Sequence, residues 1–250
     1  MCYAMKFIRR NDGTYISLTD KETRRLIREG EVIETPDGYH FARANVPVLK
    51  MSQGEPSVSA MRWDLIPHNY YKDRNVSIGE AIRAKNSRAI DPKTGRTFGY
   101  SSFNARLETV RTLPAFRDAW SKGQRGLIAV DAFKERPNMD DAPPEFKGRE
   151  YEVNLSETMF FAALWDKWEP QDKNGAIVSC TVLTMDSKGI QPLESIWHER
   201  VPVMFTENEC EAWIDPKTTS EQAFKLCRQV KSEKLSVREI VPTTIQEKLL

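Results

Sequence analysis

The chain has 250 residues, of which 40% are hydrophobic and 29% charged, and its formal net charge is +1. That length favours one large domain with a sizeable core, and the composition is that of a globular protein and not of a disordered one. The charge balance excludes a histone-like polycation but leaves open a nucleic-acid surface, which depends on where basic residues cluster.

The opening MCYAMKFIRR lacks the apolar stretch of a signal peptide, and no later run is long and apolar enough for a membrane span. In chain order, Thr19-Asp20-Lys21-Glu22 begins a helix in capping style, with Leu26 and Ile27 as apolar contacts and Gly30 as its stop. Residues 39–43, 46–51 and 61–66 read as strands, the last ending before Pro67. A polar stretch over 72–100 carries a helix around 78–89 and a turn at Asp91-Pro92. Leu113-Pro114 introduces a short helix over 115–120. The apolar run 126–130 is a buried strand, 137–148 a polar loop, and 150–155, 160–165 and 176–184 further strands. Residues 201–205 lead into a helix over 207–214, and 220–230 form another. With no repeat or flexible linker, the pattern is that of one α+β domain.

Four cysteines, Cys2, Cys180, Cys210 and Cys227, show no CxxC spacing. This speaks against zinc and against a disulfide framework, and for a reducing, cytoplasmic compartment. Cys2 directly follows the initiator Met1. If Met1 is removed, one residue carries both an amine and a thiol. Such a terminus attacks an aldehyde twice, the amine forming an imine and the sulfur closing a five-membered thiazolidine. An amine titrating near ~7.7–8.0 and a thiol near ~8.5 suit neutral pH. A cysteine at position 2 is by itself also compatible with an ordinary N-terminus.

Polar residues interrupt hydrophobic context in four segments: Met61-Arg62-Trp63-Asp64-Leu65-Ile66-Pro67, Phe103-Asn104-Ala105-Arg106-Leu107-Glu108-Thr109, Arg125-Gly126-Leu127-Ile128-Ala129-Val130-Asp131-Ala132-Phe133-Lys134-Glu135, and Ile196-Trp197-His198-Glu199-Arg200-Val201-Pro202. Glu135 reads either as a loop charge or as a partly desolvated carboxylate at the end of a buried strand. His198 has the intrinsic titration range for proton transfer or a structural role. Asn104 and Arg106, two apart, share one face of a strand, and Glu108 follows as a partner for Arg106.

This ordered set resembles the SOS response-associated peptidase (SRAP) family, with its Met-Cys-Gly-Arg start, Trp-Gly-Leu-Ile-Pro, Asn-Ala-Arg-x-Glu-Thr, a Phe-x-Glu-Trp ending and a late His-x-Arg-Met-Pro. Pro114-Ala115-Phe116-Arg117 and Ala162-Ala163-Leu164-Trp165 match two further motifs. The chain departs at Tyr3 and Ala4, which removes a cation beside the cysteine, at Arg136, at Val201, and in a longer 72–100 insertion. The resemblance implies a single α+β domain over 1–230, a barrel-like core of mixed and antiparallel sheets with peripheral helices, and a C-terminal strand or tail over 231–250 packed on it.

It further implies covalent capture of abasic sites in single-stranded DNA by Cys2, with autopeptidase activity and a lyase side reaction. Cys2, Glu135, His198 and Asn104 would be catalytic, while Arg106, Trp63, Pro67, Thr184 and Arg125 would contact DNA, with Arg111, Arg117 and Lys122 extending the groove. No metal or cofactor is implied. The expected protein is a monomer of bacterial or phage type, nucleoid-associated when bound. The alternatives are an N-terminal-nucleophile cysteine peptidase acting in trans, with His198 as base, and a non-catalytic single-stranded DNA-binding module.

Overall fold

The structure is a computed structural model, and it describes residues 2–7, 13–33, 35–70, 76–86, 89–90, 97–98, 101–171 and 173–241. Met1, the turn at Asp91-Pro92 and the last residues of the C-terminal tail lie outside that set. The elements run β1 (Ala4–Phe7), α1 (Thr14–Arg28), β2 (Tyr39–Phe41), β3 (Asn45–Ser52), β4 (Glu55–Trp63), α2 (Ile78–Asn86), β5 (Ala89–Ile90), β6 (Thr97–Phe98), β7 (Asn104–Arg106) and α3 (Arg117–Ser121). They continue β8 (Arg125–Glu135), β9 (Tyr151–Trp168), β10 (Ile177–Asp186), α4 (Gln191–Glu194), β11 (Arg200–Pro202), β12 (Met204–Phe205), α5 (Glu207–Ile214), α6 (Ser220–Leu226) and β13 (Leu235–Glu239).

The long strands close on themselves. β8 pairs with β9, β9 with β10, β10 in parallel with β4, β4 with β3, and β3 back with β8 at Leu49 and Leu127. A closed ring removes the open edges of its members and leaves an interior filled by alternating side chains. The result is the mixed α+β, barrel-like single domain implied by the sequence. Two residues, Gln53 (φ 53°) and Gly54 (φ 87°), turn β3 into β4, the left-handed pair that a two-residue hairpin favours. At Gly126 the barrel wall is tight: a Cβ there would lie 2.6 Å from Val48 Cγ1 and 3.2 Å from the Leu49 carbonyl oxygen. Gly126 therefore lets β3 approach β8.

Several boundaries differ from the sequence reading, each for a tertiary reason. α1 starts at Thr14, not at Thr19, because a carboxylate from α5 caps it: Glu207 Oε1 accepts from the amides of Tyr15 (2.5 Å) and Ile16 (3.3 Å). β4 begins at Glu55 and stops at Trp63, since the next residue, Asp64, turns to bond Ser102 and Lys85. β9 is one 18-residue strand where two were expected. The polar residues 156–158 occupy its middle, and a register shift between Val130 and Ala132 on β8 accommodates them.

The N-terminal strand β1, unmarked by any periodicity, adds to the outer edge of β8. Its register places Ala4 opposite Lys134 and Met5 opposite Phe133, so the preceding residues Cys2 and Tyr3 arrive beside Glu135 and Arg136. Antiparallel β13 covers the start of β9, placing the C-terminal strand on the domain. The inserted α2 is anchored by a fully buried ion pair, Lys85 Nζ to Asp64 Oδ1 at 3.1 Å.

Candidate active site

Side-chain alternation decides where Glu135 points. Phe133 faces the barrel core, 5.4 Å from Phe161 in an edge-to-face pair, and Glu135 two residues later shares that face. The Glu135 carboxylate is fully buried, and Glu135 Oε2 lies 3.2 Å from His198 Nε2, itself fully buried. His198 Nδ1 is 2.6 Å from the Arg136 carbonyl oxygen. A carbonyl only accepts, so Nδ1 carries a proton. Nε2 then faces the Glu135 carboxyl across 3.2 Å. That arrangement suits moving a proton in either direction.

The His198 loop is fixed by backbone. Trp197 adopts a left-handed conformation (φ 56°), costly for a bulky residue, and its carbonyl accepts from the amides of Asn138 (2.9 Å) and Met139 (3.1 Å). Ser187 Oγ donates to the His198 carbonyl at 2.7 Å, and the Glu199 amide donates to Asn138 Oδ1 at 2.9 Å. The loops after β8 and after α4 are therefore stitched together around the pair.

Cys2 completes the group. It is buried, and Asn104 Nδ2 donates to its carbonyl at 2.7 Å. Because the partner is a carbonyl, this bond also fixes the orientation of the amide. Asn104 Oδ1 is buried and accepts no hydrogen bond among the described residues. Burial first, and then the charge of Glu135, push the Cys2 thiol well above its ordinary range. Cys2, Asn104, Glu135 and His198 are thus brought together from the segment before β1, from β7, from β8 and from the loop before β11.

Arg106 extends from β7 with an exposed side chain, 3.6 Å from the Glu199 carboxylate. Glu108 does not pair with it. A two-pronged contact with Arg200 (2.9 and 2.8 Å) takes Glu108 instead, and Arg200 Nη2 also donates to the Thr184 carbonyl at 2.7 Å. This clamp ties β7, β10 and β11 and so holds Asn104 in register.

The other residues assigned to DNA are placed away from solvent. Trp63 is fully buried, donating its indole N–H to the Phe103 carbonyl at 2.7 Å, and Pro67 is buried beside it in sequence. Thr184 is buried with Oγ1 3.5 Å from the Ala105 carbonyl oxygen. Arg125 is buried too, bonded to the carbonyls of Asp215 (3.4 Å) and Thr218, with its guanidinium 5.7 Å from the Trp213 ring centroid. All four serve the core or the ends of helices in this structure. Arg111 pairs with Glu221 at 3.2 Å, Arg117 with its neighbour Asp118, and Lys122 lies 3.3 Å from His68 Nε2.

Sequence reasoning missed how two departures from the motif set meet. The Tyr3 hydroxyl donates to Glu150 Oε1, Arg136 Nη2 donates to the same oxygen at 2.9 Å, and the Arg136 guanidinium lies 4.7 Å from the Tyr3 ring centroid. Tyr3 and Glu150 are 147 positions apart, and only the β1–β8 register brings them within reach.

The description SOS response associated peptidase (SRAP) matches residues 15–246. The chain belongs to this family. Among curated relatives it is 32% identical over 121 residues to the abasic site processing protein YobE of Bacillus subtilis, covering 48% of this chain and 52% of that one. It is 24% identical over 231 residues to the abasic site processing protein HMCES of Xenopus tropicalis, covering 82% and 62%. The chain thus spans about half the length of YobE. Solved structures of similar fold include a Bacteroides thetaiotaomicron protein, with TM-score 0.69, 17% identity and coverage of 99% and 95%. A Bordetella bronchiseptica protein aligns with TM-score 0.65, 17% identity and coverage of 96% and 100%.

Proposed function

We propose that this SRAP protein captures abasic sites in single-stranded DNA through Cys2, as part of a DNA damage response. The observation that carries the reading is the meeting of Cys2 with Asn104, Glu135 and His198 in one buried group. The names of its relatives, which state abasic site processing, agree with it.

Removal of Met1, by the chain itself or by an aminopeptidase, exposes the Cys2 amine. The abasic deoxyribose opens to its aldehyde, with Glu135 and His198 assisting. The amine adds to C1′ and water leaves, giving an imine. The Cys2 sulfur then adds to the imine carbon, and the thiol proton ends on the nitrogen, closing the thiazolidine with a net loss of one water. Since the thiol enters as S–H, a base must take its proton as the C–S bond forms, and the Glu135 charge is the carboxylate whose field reaches it. Asn104 Oδ1 is suited to accept from the liberated amine and aim it at the sugar, which makes the attack effectively intramolecular. If ring closure fails, the imine permits β-elimination, a lyase outcome.

Single-stranded substrate fits this chemistry because the lesion needs no extrusion from a duplex. The test incubates the protein with an abasic single-stranded oligonucleotide and resolves the products under denaturing conditions after heating. A heat-resistant adduct formed by the natural chain and absent in Cys2→Ala is the expected result. An adduct of equal yield in Cys2→Ala contradicts the reading.

A further inference from the structure

With Trp63 and Pro67 buried, an exposed aromatic surface next to Cys2 lies elsewhere. Phe41, at the end of β2, keeps 43% of its surface in solvent, an unusual exposure for a large aromatic ring. Its ring lies 6.5 Å from that of Tyr3 at a tilt of 32°. The Arg136 guanidinium, whose side chain is 61% exposed, lies over the Tyr3 ring. Lys134 Nζ lies 5.6 Å from the Phe41 ring centroid. Glu150 locks Tyr3 and Arg136 together through one shared oxygen. Phe41, Tyr3 and Arg136 therefore form a continuous aromatic and cationic ledge that begins one residue from Cys2. Its inner end also touches the proton pair, since the Arg136 carbonyl holds His198 Nδ1.

We propose that this ledge is a nucleobase platform: a base flanking the lesion stacks on Phe41 and Tyr3 while Arg136 takes the adjoining phosphate. The occupant follows from composition. The exposed Phe41 ring offers a face to any base, and the Arg136 guanidinium, held over Tyr3 by Glu150, keeps further N–H groups for the phosphate that follows it. The proposal rests on the capture reading and adds the surface that aligns the strand, with preference for a stacked neighbour next to the lesion.

Two arms test it with the full chain. The first compares capture of abasic oligonucleotides whose neighbouring position carries either a purine or a base-free spacer. The natural chain should capture the purine-flanked strand roughly five- to tenfold faster, and this ratio should fall to near one in Phe41→Ala and in Arg136→Gln. An unchanged ratio in Phe41→Ala overturns the platform. The second arm needs no chemistry: 2-aminopurine in an undamaged single strand should be quenched on saturating binding by the natural chain and not by Phe41→Ala. Quenching retained in that variant also overturns it. If the natural chain forms no adduct with either strand, the capture reading fails, and the fluorescence arm alone decides the ledge. Both side chains are exposed, so neither variant threatens the fold.

Discussion

Glu135 stands on the inward face of β8, where an isolated carboxylate would be costly, and His198 Nε2 at 3.2 Å makes that position tenable. Glu135→Gln keeps the shape and removes the base, so the rate of adduct formation should fall by about 10²-fold or more in single-turnover assays. A change under threefold would assign Glu135 a packing role. Glu135 was legible as one of two readings, a loop charge or a partly desolvated carboxylate after a buried strand, and His198 as a histidine fit for proton transfer or for structure; only the motif resemblance chose between them. The burial of Trp63, Thr184 and Arg125 was not legible. Nothing local marks which face of a strand a long barrel will turn inward once it closes, and an arginine used to bind the carbonyls after α5 reads like one aimed at phosphate.

The barrel wall is set by strand register, and Gly126 leaves no room for a side chain between β8 and β3. Gly126→Ala puts a methyl group 2.6 Å from Val48 Cγ1, a stiff β-branched neighbour in the core. Its expected cost is about 1–3 kcal/mol in urea unfolding, and a loss under ~0.5 kcal/mol would show that β3 relaxes away from β8. Helix α5 was read from the sequence with its observed bounds, because its Thr206 and Glu209 capping box is local. The start of α1 was misplaced for the opposite reason: its cap, Glu207, lies 192 positions from Tyr15. The fusion of 150–155 and 160–165 into one β9 likewise depends on a bulge in the partner strand, which no property of residues 156–158 announces.

At the scale of the whole molecule, the four thiols share one consequence of burial. Desolvation raises Cys2, Cys180 and Cys210 well above the ordinary thiol range, and burial pushes Cys227 up to about 12. In the unfolded chain these thiols ionise near ~8.5. As pH rises past that point the unfolded state loses protons that the folded state keeps. Stability is therefore full below pH ~8.5 and declines above it, by up to about 1.4 kcal/mol per pH unit for each thiol. Denaturant unfolding at pH 7, 9 and 10 checks the sign, and a stability flat or rising over that range would contradict the buried placement.

The same burial pushes the Cys2 thiol up, beside the Glu135 carboxylate. The most direct measurement digests the heat-resistant protein–DNA adduct and weighs its N-terminal peptide. The account predicts a peptide beginning at Cys2, lacking Met1, with the sugar attached and one water lost relative to the separate reactants. A sugar attached through a lysine, or an adduct on a chain that still carries Met1, would contradict it.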